Sequence, residues 1–200
     1  MNNRTKILYT KLIILILCLL IILKIFSLIL AKYESETNTD AEIDIAFYLF
    51  KEDYQTMTLN LGSVLPTNNL YVYNFTIGNQ DGTDTAEIDL TYDLTIRTTT
   101  NLPLKYNLYM NQNYNDTGAT DIIRTNTVAQ DESNTFFRTL TTDTQELLFR
   151  TPKTNSYQLV VTFPSEYTDE NNNTIKYNTE NYQDIIEAIE IKVESRQYTT

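Results

Sequence analysis

The chain has 200 residues, with 26 acidic and 15 basic side chains, so its formal net charge is −11 at pH 7. Histidine is absent, which removes the commonest general base and zinc ligand and excludes Ser-His-Asp and Cys-His catalysis. An acidic surface repels phosphate backbones, so we expect no nucleic-acid binding.

The N-terminal region contains a long apolar segment, Leu12 to Ala31, in which sixteen of twenty residues are Leu, Ile or Phe. A helix of this length covers about 30 Å, the thickness of the hydrocarbon core of a bilayer. Arg4, Lys6 and Lys11 precede the segment and no acid does, so the positive-inside rule places the N-terminus in the cytoplasm. We therefore predict a hydrophobic helix that contacts the lipid bilayer through residues 12–31.

This segment has two interpretations. An uncleaved single-pass anchor is favoured because Ile29 occupies a position where a signal peptide needs a small residue. Cleavage after Ala31 is the alternative, and it would release a secreted domain. Cys18 is the only cysteine and lies inside the segment, so no disulfide bond can stabilise the region that follows.

The chain is predicted to divide into three parts. Residues 1–31 comprise the cytoplasmic N-terminus and the apolar segment, residues 32–40 form a polar tether, and residues 41–200 form one extracellular domain. Four basic residues and no acidic ones precede Lys32, so the 169 residues from Lys32 onward have a net charge near −15. Such a charge favours solubility and opposes self-association.

From Ala41 onward, apolar and polar residues alternate with a period of two, which is typical of strands with one buried face. The clearest case is Ala86 to Arg97 (AEIDLTYDLTIR). Similar alternation occurs at 43–49, 71–77, 104–110, 157–163 and 189–193, and weaker candidates are Met57–Leu61, Asp121–Val128, Thr135–Leu140 and Glu146–Phe149.

The connections agree with a sheet protein. Asn79 to Asp84 (NQDGTD) contains an Asp-Gly pair between two alternating runs and predicts a hairpin. Asp169 to Thr174 is predicted to be a polar loop or flexible tip. One helical turn or two are predicted at Tyr182, Ile185, Ile186 and Ile189, with Thr179 or Asn181 as the cap. We therefore predict an all-β fold, an antiparallel β-sandwich of jelly-roll type, preceded by one N-terminal hydrophobic helix.

The sequence offers few residues for chemistry. Its four glycines form neither a dinucleotide fingerprint nor a phosphate loop. Asp89 and Asp93 form a carboxylate pair, but they alternate with the apolar residues of their strand and are expected to face water.

The segment around Gly82 partly matches a calcium-binding loop. Asn79 and Asp81 occupy two ligand positions, but Ile77 and Ile88 stand where carboxylates are required, so a hairpin is favoured. We predict no catalytic residue, no cofactor-binding residue and no metal site, and therefore a protein that is not an enzyme.

Several short motifs point to a family. The apolar leader ends at Ala31, Tyr33 follows at once, and Leu59 to Pro66 (LNLGSVLP) precedes the alternating residues 71–77 and the Asp81-Gly82 turn. Over roughly Ala31 to Tyr109 the chain resembles the TasA and camelysin group of surface proteins from Gram-positive bacteria. The resemblance implies a jelly-roll-like sandwich outside the cell and, in some members, matrix fibres in which an N-terminal segment completes the sheet of a neighbour. The metalloprotease activity described for the camelysin branch is not expected, because the chain has no His-Glu-x-x-His site.

We expect a non-catalytic structural or assembly protein of the cell surface or extracellular matrix. In this hypothesis, Tyr33 to Phe50 pairs with an exposed sheet edge of a neighbouring copy or of another surface protein. The alternative is an adhesive or carbohydrate-binding module in which Tyr and Asn of loops such as Asn107 to Asn115 contact sugars. A third hypothesis, a hydrolase that uses carboxylates alone, requires two acids about 5 to 10 Å apart in a cleft.

Overall fold

The computed structural model describes residues 45–49, 54–61, 64–182 and 185–198, all within one compact unit, Asp40–Thr200. These residues form fourteen strands and one short 3₁₀ helix. The hydrophobic helix predicted at 12–31 and the predicted boundaries at residues 31 and 40 lie outside the described residues. Across the described ranges, no helix has the length and apolar character needed to cross a membrane.

The strands form two large sheets and two small hairpins. The four-stranded sheet has the order β1-β3-β11-β7, and the six-stranded sheet has the order β2-β14-β6-β9-β8, with β10 also paired to β6. The strands are β1 (Ile45–Tyr48), β2 (Tyr54–Asn60), β3 (Leu70–Gly78), β4 (Gln80–Asp81), β5 (Asp84–Thr85), β6 (Leu90–Thr99), β7 (Lys105–Met110), β8 (Thr125–Gln130), β9 (Phe136–Thr141), β10 (Gln145–Leu147), β11 (Thr154–Thr162), β12 (Glu166–Thr168), β13 (Thr174–Lys176) and β14 (Ala188–Gln197).

The all-β prediction is confirmed, with one departure from the antiparallel pattern. The pairing of β1 with β3 is parallel, and the other strand pairings are antiparallel. The hairpin predicted at Asn79 to Asp84 is present as β4 and β5, with Gly82 at φ 62° in its turn. Glycine adopts this left-handed conformation without steric cost, which explains its place there.

Period-two alternation places one face of each large sheet in a common hydrophobic core. In β11, for example, Tyr157, Leu159 and Val161 are buried in the core, whereas Ser156 and Gln158 lie on the opposite face. The other core side chains of the strands in the four-stranded sheet are Phe47, Tyr73, Phe75, Ile77, Tyr106 and Leu108, and those of the strands in the six-stranded sheet are Leu59, Leu90, Tyr92, Leu94, Ile96, Leu140, Leu147, Ile189, Ile191 and Val193.

A buried pair of tyrosine hydroxyls joins the two sheets within this core. The Tyr92 hydroxyl, on β6, lies 2.6 Å from the Tyr157 hydroxyl, on β11, and accepts a hydrogen bond of 2.6 Å from Asn155 Nδ2. The Tyr157 ring stacks on Phe75 with 5.0 Å between the ring centroids. Burial raises the pKa of both tyrosine hydroxyls, so the pair stays neutral and hydrogen-bonded.

A second buried group surrounds Glu187, which has no exposed surface. Its Oε1 accepts a hydrogen bond of 2.8 Å from the Thr98 hydroxyl, and its Oε2 accepts one of 3.1 Å from the backbone amide of Leu102. The Tyr106 hydroxyl, on the four-stranded sheet, lies 3.1 Å from the same Thr98 oxygen. Burial raises the pKa of the Glu187 carboxyl because it disfavours the charged form, and these hydrogen bonds offset only part of the effect.

Two hairpin turns use one short motif, Asp-Glu-x-Asn. It occurs at Asp131 to Asn134, between β8 and β9, and at Asp169 to Asn172, between β12 and β13. In each turn the aspartate carbonyl accepts a 3.1 Å hydrogen bond from the asparagine amide, and the asparagine has φ near 61° or 62°. Asparagine thus takes the left-handed position that glycine often fills in three-residue hairpin loops.

Two local predictions need correction. The clearest predicted strand begins at Leu90 and not at Ala86, because the Ala86 amide bonds to the Asn79 carbonyl across the β4–β5 hairpin. The polar tip predicted at Asp169 to Thr174 lies at the turn of the β12–β13 hairpin, and its last residue, Thr174, begins β13.

The predicted helix around 182–189 is also misplaced. The 3₁₀ helix spans Thr179–Asn181 with Asn178 as its N-cap, and Ile189 belongs to β14. The Tyr182 ring packs edge-on against Phe163, 5.1 Å between centroids, so hydrophobic packing and not a continuing helix accounts for its apolar character.

The buried tyrosine pair predicts an unequal response to removal of either hydroxyl. Tyr92→Phe removes the partner of both Tyr157 and Asn155, whereas Tyr157→Phe leaves the Tyr92 bond to Asn155 intact. We expect Tyr92→Phe to lower the free energy of unfolding by about 2 kcal/mol or more and Tyr157→Phe by about 1 kcal/mol. Urea denaturation of both variants measures this, and equal losses would contradict the assigned network.

Glu187 predicts a defined pH dependence of stability. Because its folded-state pKa is raised, its contribution is fully present below the unfolded-state pKa and is lost as the pH rises through the folded-state pKa. Glu187→Gln cannot ionise, so the stability of the native chain relative to this variant should fall from about pH 4, near the ordinary glutamate pKa, towards neutral pH. Denaturation curves of the two proteins over this range provide the measurement. A difference that is independent of pH would disprove the assignment.

Candidate binding surfaces

The outer face of the four-stranded sheet, opposite the core, carries a polar cleft of about 540 Å³. Its floor is formed by neighbouring strands β3 and β11, and its wall by the loop that follows β7. This volume falls within the range of sites that bind small ligands. The lining residues are Asn74, Phe75, Thr76, Asn111, Gln112, Asn113, Asp116, Ser156, Tyr157 and Gln158.

The wall of the cleft is fastened to its floor by asparagine and glutamine side chains. Gln158 Oε1 accepts a hydrogen bond of 3.0 Å from the Tyr114 amide, and its Nε2 donates one of 3.2 Å to Asn113 Oδ1. Asn111 Oδ1 accepts from the Ser156 amide at 2.9 Å, and its Nδ2 donates to Asn155 Oδ1 at 3.0 Å. The loop is therefore connected through Asn155 to the buried tyrosine pair. These hydrogen bonds hold the loop in place.

The floor presents four polar side chains, from two successive residue pairs on the outer face of β3 and β11. Strand register places Asn74 opposite Gln158 and Thr76 opposite Ser156, and paired residues of a sheet lie on the same face. Tyr109 of β7 lies opposite Gln158 on its other side and is partly exposed. Asn74 Oδ1 is buried and has no hydrogen-bond partner among the described residues.

The lining of the cleft contains one ionisable acid and no basic residue. Asp116 is that acid, and its Oδ2 accepts a 2.7 Å hydrogen bond from the Asn113 amide. The pair of facing carboxylates that a carboxylate-only hydrolase requires is thus not present among these lining residues.

A second surface is the free edge of β8. Each of its six residues, Thr125–Gln130 (TNTVAQ), is exposed, and none of them is charged. Among the described residues β8 pairs with β9 alone, so its other edge is open. An open, uncharged edge of this kind is a template for the addition of another strand.

The turn of the hairpin indicates which backbone groups of β8 face outward. The Asp131 amide donates to the Thr135 carbonyl at 2.9 Å, so Asp131 and Thr135 form a hydrogen-bonded pair at the end of the β8–β9 ladder. Because hydrogen-bonded and non-hydrogen-bonded pairs alternate along an antiparallel ladder, the backbone groups of Asn126, Val128 and Gln130 point away from β9. Val128 and Phe136 are about half exposed, at 52% and 51%, and register places them on one face.

The edge strand β7 of the other sheet is covered instead. Asp121 Oδ1 accepts hydrogen bonds of 3.0 Å from the Leu108 and Ile123 amides, and its Oδ2 accepts one of 2.8 Å from Asn107 Nδ2. The Leu108 carbonyl accepts from the Ile122 amide at 2.9 Å. Both backbone groups of Leu108 that a new strand would use are therefore occupied.

The remaining residues singled out from the sequence have structural partners. Asn79 is fully buried, and its side chain donates to the Leu148 carbonyl at 3.0 Å and accepts from the Lys153 amide at 2.8 Å. Asp89 accepts from the Phe149 amide at 2.9 Å, and Asp93 pairs with Arg196 at the surface. Over the described ranges, no group of three or more Asp, Glu or Cys side chains is placed to hold a metal ion.

Of the loop predicted to contact sugars, Asn107 to Asn115, the structure places Asn111 and Asn113 in the cleft. Asn107 bonds to Asp121 instead, and Asn115 is exposed outside the lining. Sequence reasoning missed the floor residues of β3 and β11, because the pairing of these strands brings together positions about eighty residues apart.

No protein-family model matches the chain, and no curated protein is similar to it. Among solved structures it is similar to a surface-associated copper-binding protein, CorA, important in copper acquisition by Methylomicrobium album BG8. The identity is 14%, and the match covers 78% of this chain and 98% of that one, with a TM-score of 0.25. A TM-score this low carries no argument about fold or function.

The cover of β7 generates a prediction about Asp121. Asp121→Ala removes three hydrogen bonds, two of them to backbone amides, and should lower the free energy of unfolding by about 1 to 3 kcal/mol. Asp121→Asn is the matched control, because its remaining carbonyl oxygen can still accept from the Leu108 and Ile123 amides. Chemical denaturation should rank native above Asn above Ala, and equal stability of the two variants would refute the role of the acceptor.

Proposed function

We propose that the protein is a non-catalytic structural component of the cell surface or extracellular matrix that assembles by strand addition at β8. The observation that supports this is the uncharged β8 edge of the six-stranded sheet, which no described strand occupies, whereas the β7 edge of the four-stranded sheet is covered. In this proposal the two large sheets form a jelly-roll-type sandwich, similar to the TasA and camelysin group. The apolar segment at 12–31 anchors it in the membrane, or cleavage after Ala31 releases it.

The proposed occupant of the β8 edge is residues 33–44 of a neighbouring copy. Residues Ile45–Tyr48 already pair with β3 of their own chain, so the proposed donor segment ends at Asp44. It alternates at Ala41 to Asp44 as a strand does, and Ile43 supplies an apolar side chain for the exposed Val128.

Charge supports this choice of occupant. Residues 33–44 contain five acids and no base. Arg124, which precedes β8, is ion-paired with Asp143 at 2.7 Å but has 60% of its side chain exposed, and Arg138 lies opposite Val128 on β9. Their positive charges favour an acidic strand at this edge over the many uncharged segments of the chain.

The acidic domain as a whole opposes this association. With a net charge near −15 from Lys32 onward, copies repel each other at low ionic strength, and salt screens that repulsion within about 10 Å at 0.1 M. We therefore expect assembly to increase as salt rises to physiological levels.

Carbohydrate binding, the alternative expected from the sequence, does not compete with strand addition. The cleft lies on the outer face of the four-stranded sheet, whereas β8 is an edge of the six-stranded sheet. A surface adhesin and a matrix component can thus be one protein with two independent sites.

Val128→Pro tests the assembly proposal. Val128 directs its amide away from β9, so proline removes one donor for the incoming strand without breaking the β8–β9 ladder. The native chain should form oligomers or fibres. Val128→Pro should raise the concentration at which half of the chains are assembled by at least about tenfold. This factor corresponds to about 1.4 kcal/mol, the loss expected for one hydrogen bond and the weakening of those next to it. Sedimentation velocity and electron microscopy measure this.

Val128→Thr is the matched control, since it keeps the amide and the β-branched shape while removing one methyl group. It should assemble nearly as well as the native chain. A native chain that stays strictly monomeric at high concentration and physiological salt, or equal assembly of the Pro and Thr variants, would overturn the proposal.

A further inference from the structure

We propose that the polar cleft of the four-stranded sheet binds a neutral oligosaccharide. This inference develops the carbohydrate-binding alternative and is independent of strand addition, because no residue of β8 lines the cleft. It rests on the chemistry of the lining, the rigidity of the wall and the position of the cleft on the sheet.

The lining matches hydroxyl groups and not ionic ones. Asn74, Thr76, Ser156 and Gln158 present amide and hydroxyl groups, which as residue types both donate and accept hydrogen bonds. Adjacent hydroxyls of a sugar ring also donate and accept, so the two sets are complementary. Without a basic residue in the lining, an anionic ligand would lose its hydration and gain no counter-charge.

A peptide strand is a poorer match to the same surface. The cleft lies over the middle of the sheet, where β11 is paired on one side with β3 and on the other with β7. Its floor backbone therefore has no free hydrogen-bonding edge of the kind that extended peptides use. The ligand must be recognised through side chains, as sugars are.

The wall is organised before any ligand arrives. Gln158 joins the floor to the loop at both Asn113 and the backbone of Tyr114, and Asn111 adds two further bonds to β11. A site whose shape is already held by such bonds loses little conformational entropy on binding. Tyr109, next to Gln158, supplies a partly exposed aromatic ring whose negative face can contact the C–H groups of a sugar.

Asn74 on the floor is left incompletely bonded. Its Oδ1 is buried without a partner, which costs about 1 to 3 kcal/mol relative to a satisfied acceptor. Rotation of the amide about χ2 exchanges the buried oxygen with the nitrogen and presents an acceptor to a ligand hydroxyl. A ligand hydroxyl would then give Asn74 Oδ1 the partner that it lacks in the free protein.

Two cleft variants and one control test the inference in the full chain, solubilised in a detergent without a sugar headgroup. The probe is an array of neutral and acidic oligosaccharides, followed by calorimetric titration with the best neutral one. Asn74→Ala should weaken binding by about tenfold, equivalent to about 1.4 kcal/mol for one hydrogen bond to an otherwise unpaired group. Thr76→Arg should abolish binding, because the long side chain fills the cleft.

Thr162→Arg is the matched control, since it adds the same side chain to the same outer face of the same sheet, beyond the cleft. It should bind like the native chain, and thermal unfolding verifies that all variants are folded. Retention of no neutral oligosaccharide, preference for acidic ones, or equal affinity of Thr76→Arg and Thr162→Arg would each overturn the inference. None of these results depends on whether the chain assembles at β8.

Discussion

Burial of one face of each large sheet in a common core requires every polar group trapped there to find its partner inside the protein. Tyr92 and Tyr157 meet this requirement across the two sheets, with Asn155 as a third member. The same asparagine accepts from Asn111 of the cleft wall. The core and the candidate binding site are therefore parts of one hydrogen-bonded network, joined by the side chains of Asn155 and Asn111.

The alternating pattern made most of the fold predictable. Residues 71–77, 104–110, 157–163 and 189–193 all fall largely within strands, because period-two alternation has one physical meaning when one face is buried. The β12–β13 hairpin was missed because its turn carries no glycine. Asn172 adopts the left-handed conformation there, as Asn134 does in the β8–β9 hairpin, and in a chain rich in asparagine such a residue gives no distinct signal.

The candidate sites were less predictable, because they depend on register between distant strands. The sequence pointed to the loop that contains Asn111 and Asn113, but not to Asn74 and Gln158, which only strand pairing brings face to face. It likewise gave no means of knowing that Asp121 would cover β7. One of the weaker predicted strands, Asp121–Val128, contains residues of both edges: Asp121 covers β7 of the four-stranded sheet, and Thr125 to Val128 belong to β8, at the edge of the six-stranded sheet.

The difference between the β7 and β8 edges bears on how an acidic protein can associate selectively. Net charge repels every approach by another copy to a similar degree, so it limits non-specific contact without choosing a partner. An open edge selects its partner, because its backbone groups form hydrogen bonds only with a strand that is in register and close by. In the proposed assembly, the cover on β7 excludes strand addition at that edge of the four-stranded sheet, and the uncharged β8, beside Arg124 and Arg138, accepts a strand at one edge of the six-stranded sheet. In that proposal, pairing of one N-terminal segment with one β8 edge of the next copy would produce a linear array.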